Sequence, residues 1–147
     1  YHRALRQLVM RTQRRFGIVL LIDCHSMPSS SVTRDENSRA DIVIGDRFGT
    51  SCAAATSDRV AQCFERLGYR VARNRPYAGG FITEHYGEPA AGRHALQVEI
   101  NRSLYMDERT MQRTEGFARL ASDITEVFSL IAETVTADLT ERRLAAE

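Results

Sequence analysis

The chain has 147 residues, of which 43% are hydrophobic, and its formal net charge is +1. This length suits a single domain with an ordinary core, and the near-neutral charge gives no reason to expect a nucleic-acid or membrane-surface partner. No apolar run approaches the roughly 20 residues of a transmembrane helix, and no signal peptide is visible. The three cysteines lack zinc-ribbon spacing, which favours reduced thiols and a cytoplasmic location.

The apolar periodicity predicts strands that alternate with helices. Gly17 and Gly68 follow helix-like apolar stripes and suit the left-handed conformation that ends a helix, while Thr50 or Ser51 suits a helix N-cap. The predicted elements in chain order are a helix at 1–16, a strand at 18–22, a loop at 26–39, a strand at 41–45, a helix at 51–67, strands at 69–73 and 94–101, and a helix at 110–144. This alternation predicts one three-layer α/β/α domain over residues 1–147, with a mostly parallel or mixed sheet.

Polar residues directly follow the first predicted strand. Asp23, Cys24, His25 and Ser26 come after five apolar residues, and the carboxyl ends of strands in an open α/β sheet form the rim where ligands bind. His25 is therefore a candidate zinc ligand, with Asp23 or Ser26 able to orient its ring. The alternative is a histidine with a hydrogen-bonding role only. Cys24 is predicted to face the core, because adjacent strand residues point to opposite faces, so it would not form a nucleophilic pair with His25.

Glu99 interrupts an otherwise apolar strand. The apolar residues at 96, 98 and 100 alternate with Gln97, Glu99 and Asn101, which predicts that these polar side chains share the opposite face. A buried carboxylate is costly unless it is paired or faces a cleft, and desolvation moves its pKa toward the range of a general base. The competing interpretation is an ion pair with Arg93 or Arg102.

Every basic side chain except the histidines is an arginine, and four arginines flank predicted turns at strand ends: Arg47, Arg73, Arg75 and Arg102. Because guanidinium groups bind carboxylates in a bidentate manner, a cluster of them at one rim would suit a small acidic substrate. Each one alone is typical of a solvated surface. His85 and His94 would complete a three-histidine zinc site if the fold brought them to His25, although structural roles are the favoured interpretation of both.

Four stretches, DCHSMPS, DIVIGDRFGTSC, GYRVARNRPYAGGFITEHYG and HALQVEINRSLYMDE, together resemble the N-formylglutamate amidohydrolase family over about residues 1–108. The resemblance implies a phosphorylase/hydrolase-like fold of the zinc carboxypeptidase kind, a Zn²⁺ cofactor, and hydrolysis of N-formyl-L-glutamate to formate and glutamate in histidine degradation. DCHS resembles the motif that supplies a zinc ligand, which is His25 here, and EINR resembles the strand of the general base, which is Glu99. Candidates for binding the substrate are Arg47, Asn74, Arg75 and Tyr77, from their strand-end placement, and Asn101 and Arg102 beside Glu99.

The resemblance also implies an earlier segment whose histidine and glutamate complete the zinc site. No such segment precedes Tyr1, so the chain is expected to be the C-terminal part of a longer amidohydrolase, and the activity is expected of that longer protein. Two alternatives stay open: a related metal-dependent amidase or carboxypeptidase-like hydrolase with another substrate, and a non-catalytic ligand-binding domain. The presence of Glu99 argues against a binding domain, which has little use for an unpaired buried carboxylate.

Overall fold

A mixed four-stranded sheet organises the chain in the computed structural model, which describes residues 1–31 and 39–144, with side chains in the last helix described as far as residue 133. The strands are β1 (Val19–Met27), β2 (Ile42–Gly45), β3 (Val71–Arg73) and β4 (Arg93–Asn101), arranged in the order β1-β4-β2-β3. β4 is parallel to β1 but antiparallel to β2, and β2 and β3 are parallel. The carboxyl ends of β1 and β4 therefore lie at one end of the sheet, and those of β2 and β3 lie at the other.

Among the residues described, four α-helices cover the two faces of this sheet. They are α1 (His2–Phe16), α2 (Ala54–Arg66), α3 (Phe81–Tyr86) and α4 (Gly116–Leu144). α2 and α4 pack on one face, whereas α1 and α3 pack on the other. The predicted three-layer α/β/α architecture is confirmed. Within the described part of the chain, no helix is both long enough and apolar enough to cross a membrane.

The main core lies between the sheet and the layer formed by α2 and α4. Phe64 of α2 and Val127 of α4 are fully buried there, against Leu96 and Val98 of β4. These two β4 residues are on the face opposite to Gln97 and Glu99, as the alternating pattern predicted. The sequence therefore located the core face of β4 correctly.

The other face carries two smaller apolar clusters with polar residues between them. Val9 of α1, Val19 of β1 and Tyr86 of α3 form one cluster. Met27 and Val43 belong to the second cluster, near the carboxyl end of β1. Because neither cluster covers the middle of the sheet, that part of the face is left to polar side chains.

β1 is longer than predicted. It continues through Asp23, Cys24 and His25 to Met27 instead of ending at residue 22, because the polar residues remain paired with β4. His25 thus lies within a strand and not at its end. Cys24 is exposed, contrary to its predicted place in the core, since β1 is the edge strand of the sheet in the described residues. Residues 32–38 of the loop predicted at 26–39 lie outside the described residues.

The predicted helix boundaries are partly confirmed. Gly17 has φ 77° and closes α1 by donating its N–H to the Gln13 carbonyl at 2.7 Å. α2 begins at Ala54 and not at residue 51, because the Ser51 hydroxyl donates to the Ala95 carbonyl at 2.9 Å and caps nothing. Residues 81–86, for which the sequence predicted no element, form α3.

The last helix also starts later than predicted. A hairpin of β5 (Met106–Asp107) and β6 (Gln112–Arg113) occupies the first residues of the predicted helix at 110–144. Its turn is fixed by the Asp107 side chain, which accepts the N–H groups of Arg109 at 2.8 Å and Thr110 at 3.0 Å. Local side-chain bonds of this kind compete with helix formation, so α4 begins at Gly116.

Candidate active site

Four polar side chains lie side by side on the sheet face between the two small clusters. The register pairs His25 with Glu99 and Asp23 with Gln97, so the two-residue period of the strands places all four on the same face. Gln97 and Glu99 are each 5% exposed, whereas the His25 side chain is 47% exposed. We call these four residues the polar row: Asp23, His25, Gln97 and Glu99. The polar row contains a buried carboxylate next to an accessible imidazole.

His25 lies between two carboxylates. Its Nε2 is 3.0 Å from Asp23 Oδ2, and its Nδ1 is 3.6 Å from Glu99 Oε1. Because the Asp23 carboxylate can only accept, it favours the tautomer in which Nε2 carries the proton and Nδ1 keeps a lone pair. A carboxylate behind one ring nitrogen is the usual support of a metal-ligating histidine. The sequence suggested Asp23 or Ser26 as the residue that orients the His25 ring, and it is Asp23 that makes this contact.

The environment of Glu99 suits a proton acceptor. Burial raises the pKa of its carboxyl group above the ordinary value, and the nearby His25 and a hydrogen bond from Gln97 oppose that shift only in part. The alternative interpretation was an ion pair of Glu99 with Arg93 or Arg102. Instead, Arg93 pairs with Glu88, and Arg102 donates to Ser26 Oγ at 3.2 Å. Arg102 acts on Glu99 only as a more distant positive charge.

The described residues do not contain a complete metal site. No group of three or more His, Cys, Asp and Glu side chains among them is arranged to hold a metal ion. His25 fits one position of such a site, since Nδ1 is available as a nitrogen donor with Asp23 behind the ring. The chemistry of this donor agrees with zinc, which is bound by neutral imidazole nitrogen in many catalytic sites.

The other two histidine candidates lie elsewhere. His94 is the second residue of β4 and is 6% exposed, with Nδ1 accepting the Ala53 N–H at 3.2 Å. It is five residues from Glu99 along the strand, or roughly 17 Å. His85 is on α3, 3.1 Å from an Arg6 guanidinium nitrogen and stacked on Phe81. The fold therefore does not assemble the three-histidine site, and the favoured structural roles agree with these contacts.

The predicted substrate-binding residues are divided between the two ends of the sheet. Asn101 is the last residue of β4 and Arg102 follows it. Arg47 and Asn74 follow β2 and β3, which run in the opposite direction. The predicted cluster of four arginines at one rim does not form, because that prediction treated all strand ends as one rim. Arg75 is exposed on the turn after β3.

Asn74, which follows β3, is bonded to the turn after β2 that contains Arg47. The Asn74 amide donates to Asp46 Oδ1 at 2.8 Å, and its oxygen accepts the N–H groups of Asp46 at 3.0 Å and Phe48 at 3.3 Å. Arg47 is directed to Glu84, with 3.1 Å between the guanidinium and the carboxylate. Asn74 is therefore in contact with the turn that presents Arg47.

Asn101 and Tyr77 have different surroundings. Asn101 is 4% exposed, and its side chain bonds the Ala40 carbonyl at 3.2 Å and the Ser103 N–H at 3.1 Å, which begins the short 3₁₀ turn at 102–104. Tyr77 packs on the cluster that contains Val43, the residue paired with Glu99. Tyr77 thus packs on the apolar cluster that adjoins Glu99 through Val43, while Asn101 supports the chain that carries Arg102.

Gln97 is the member of the polar row that sequence reasoning did not single out. Its Nε2 donates to Glu99 Oε1 at 2.8 Å, and its Oε1 accepts the Gly80 N–H at 2.8 Å. The alternating pattern of β4 already placed Gln97 on the face of Glu99, so that signal was present. The contact with Gly80, 17 residues away in sequence, had no local signal.

Comparison with known proteins identifies the family. A sequence model of the N-formylglutamate amidohydrolase family matches residues 1–106. The chain is 38% identical over 109 residues to N-formylglutamate deformylase of Pseudomonas putida and 36% identical over 110 residues to that of Pseudomonas aeruginosa, and each alignment covers 74% of this chain. A crystal structure of N-formylglutamate amidohydrolase from Ralstonia eutropha JMP134 matches 94% of the chain at 42% identity, with a TM-score of 0.87.

These alignments also define what share of the relatives the chain represents. It spans 41% of the length of both deformylases and 51% of the crystallised amidohydrolase. The matched residues include all four members of the polar row, because the family match extends over residues 1–106. The chain belongs to the N-formylglutamate amidohydrolase family.

Proposed function

We propose that the protein represented by this chain hydrolyses the formyl amide of N-formyl-L-glutamate to formate and L-glutamate. The observation that carries the proposal is a buried Glu99 carboxylate next to a partly exposed His25 whose ring Asp23 orients. The names of the similar proteins support the substrate. We further propose that residues 1–147 are one domain of a longer cytoplasmic protein.

Glu99 is the general base of the proposed reaction. Its carboxylate takes a proton from water as the water oxygen bonds to the formyl carbon, and the same proton passes to the amide nitrogen as the carbon–nitrogen bond breaks. The products are formate and the free amine of glutamate, so the atoms balance. Burial favours this role, because it raises the pKa of the Glu99 carboxyl group and so makes the carboxylate a stronger base than an exposed one.

His25 is the proposed zinc ligand of this chain, through Nδ1. Zinc, when bound, supplies Lewis-acid polarisation of a carbonyl oxygen. The described residues offer one well-oriented donor and no complete ligand set, so the proposal requires further ligands from the rest of the protein. Asp23 holds the His25 ring in place and favours the tautomer that leaves Nδ1 unprotonated.

Of the six residues predicted to bind the substrate, four stay proposed contacts: Arg47, Arg75, Tyr77 and Arg102. Tyr77 and Arg102 have the strongest support, since Tyr77 packs on the cluster of Val43, the strand partner of Glu99, and the charge of Arg102 acts on Glu99. Asn74 and Asn101 use their side-chain amides within the protein, so we assign them the positioning of Arg47 and Arg102, respectively.

The test is the turnover of N-formyl-L-glutamate by the full-length protein and by Glu99→Gln. We expect kcat to fall by about 10²- to 10⁴-fold, the range attributed to a general base, with zinc content unchanged. Glu126→Gln is the control, because Glu126 is an exposed glutamate on α4. Full turnover in Glu99→Gln would refute the assignment of the base.

A substrate panel separates the alternatives. Formyl, acetyl and peptidyl derivatives of glutamate, with and without a zinc chelator, distinguish a deformylase from another metal-dependent amidase. Chelator-sensitive release of formate from N-formyl-L-glutamate is the expected result. Binding of N-formyl-L-glutamate without turnover of any compound would instead identify a non-catalytic ligand-binding domain.

A further inference from the structure

The structure assigns to Gln97 the role of positioning the Glu99 carboxylate. The Gln97 side chain connects this carboxylate to the turn at Gly79 and Gly80. This inference rests on the proposed function, in which Glu99 is the base. Gln97 touches neither substrate nor metal in that scheme, so it is a positioning residue and not a catalytic one. Its expected effect is to hold Glu99 Oε1 in place and leave Oε2 to exchange protons with water and the leaving amine.

The two hydrogen bonds of the Gln97 amide determine its orientation. Its Oε1 accepts the Gly80 N–H at 2.8 Å, and its Nε2 donates to Glu99 Oε1 at 2.8 Å. Rotation of the amide by 180° would set oxygen against the carboxylate and NH₂ against the N–H, so both contacts would be lost together. With Gln97 only 5% exposed, water is a poor replacement for either partner. The amide therefore has one favourable orientation.

Three glycines allow the turn to come close enough for this contact. A Cβ on Gly45 would lie 2.7 Å from the Ala78 carbonyl carbon and the Gly79 nitrogen. Gly79 has φ +114°, a conformation that side chains disfavour. A Cβ on Gly80 would be 3.3 Å from Gln97 Oε1. The backbone at 78–80 thus lies directly on the sheet, and its N–H reaches the β4 side chain.

The turn is anchored on its other side as well. Thr83 Oγ1 donates to the Gly80 carbonyl at 2.8 Å, and Arg47 donates to the Gly79 carbonyl at 3.4 Å. The same guanidinium contacts Glu84 of α3. Gln97 consequently links Glu99 to a backbone segment that is held by α3 and by the turn after β2. Bonding at both ends of its amide fixes the Gln97 side chain despite its several rotatable bonds.

The position of the carboxylate oxygens follows from these contacts. Glu99 Oε1 is 2.8 Å from Gln97 Nε2 and 3.6 Å from His25 Nδ1. The hydrogen bond from Gln97 occupies Oε1, which leaves the proton transfers of the proposed reaction to Oε2. Displacement of a reacting group by about 1 Å can cost 10²-fold in rate, so the loss of the Gln97 contact is expected to lower turnover.

The kinetic test compares Gln97→Leu and Gln97→Glu with wild type in the full-length protein. Leucine removes both contacts, while glutamate keeps an acceptor for Gly80 but replaces the amide donor with a second carboxyl group beside Glu99. We expect kcat to fall at least tenfold in both variants, with KM changed less than twofold and zinc content unchanged. The unfolding temperature is expected to fall in both, because leucine leaves the buried partners of Gln97 unpaired and glutamate sets two carboxyl groups side by side. Gln112→Leu and Gln112→Glu on β6 are the controls, because Gln112 is exposed.

A second readout needs no activity and no metal. The Gly80 amide, followed by ¹⁵N NMR hydrogen exchange, is expected to be protected in wild type and Gln97→Glu and to exchange much faster in Gln97→Leu. Equal Gly80 exchange in all three proteins would overturn the inference, and so would kcat values within twofold of wild type in an active enzyme. An inactive wild type would refute the proposed function alone, and Gly80 exchange would then decide whether the Gln97 contact exists.

Discussion

Replacement of Asp46 by alanine tests how the turn after β2 is stabilised. Asp46 is 3% exposed, and its carboxylate accepts from Ser57 Oγ at 2.7 Å, Asn74 Nδ2 at 2.8 Å, the Gly49 N–H at 3.1 Å and Arg73 at 3.1 Å. A neutral hydrogen bond contributes about 1 kcal/mol and one from a charged donor about 1.5–3 kcal/mol. Because Arg73 and Asn74 are partly exposed, water replaces part of the loss. We expect the free energy of unfolding to fall by about 3–4 kcal/mol.

Asp58→Ala is the matched control, because both carboxylates pair with Arg73. The Asp58 side chain is 54% exposed against 4% for Asp46, and an exposed ion pair contributes about 0–1 kcal/mol. Urea denaturation of wild type and both variants, analysed with the slope m as well as the midpoint, measures the difference. Equal losses in the two variants, or a loss below about 1 kcal/mol in Asp46→Ala, would refute the reasoning that burial makes these bonds strong.

The same variant has a pH signature. Burial alone would raise the pKa of Asp46, but hydrogen bonds from Ser57, Asn74, Gly49 and Arg73 lower it below the ordinary 3.8. The native carboxyl therefore releases its proton more readily than the unfolded one, so its contribution is complete above the unfolded pKa and disappears as pH falls through the native pKa. The stability difference between wild type and Asp46→Ala should be constant from about pH 5 to 8 and shrink below about pH 4.

Three further changes have defined outcomes. Asp23→Ala is expected to weaken zinc binding by the full-length protein about tenfold or more, because the His25 ring loses its support; unchanged affinity in competition with a chelating dye would contradict this role. Gly45→Ala places a Cβ against the backbone of the 78–80 turn, so we expect a loss of about 1–3 kcal/mol in urea unfolding, and an unaltered midpoint would show that the turn can move freely. Cys24 is exposed, so a thiol reagent should label the peptide that contains Cys24 in the native protein, whereas the buried Cys52, whose burial raises its pKa to about 12, should be labelled only after unfolding.

Local sequence patterns determined several features correctly. The alternation along β4 placed Gln97 and Glu99 on the face opposite the core, because side chains in a strand point to alternate faces whatever the neighbouring strands are. The left-handed closures at Gly17 and Gly68 were predictable for the same kind of reason, since glycine adopts positive φ without steric cost. The family was predictable from four short motifs and is confirmed by the match over residues 1–106.

The tertiary structure alone decided which residues meet. The sequence could not indicate that β2 runs antiparallel to β4, so it could not show that Arg47 and Arg102 lie at different ends of the sheet. Nor could apolar periodicity show that β1 continues through Asp23 and His25, because pairing with β4 and not hydrophobicity keeps these residues in the strand. Strand direction and register depend on contacts between distant parts of the chain, which no local pattern records.

The candidate site illustrates both contributions. His25 and Glu99 were identifiable from the sequence as residue types in unusual positions, an imidazole after an apolar run and a carboxylate within one. That they are neighbours, that Asp23 orients one and that Gln97 holds the other followed only from the pairing of β1 with β4 and from the close approach of Gly80. The sequence by itself determined the chemical groups, whereas tertiary hydrogen bonding between distant segments decided their geometry.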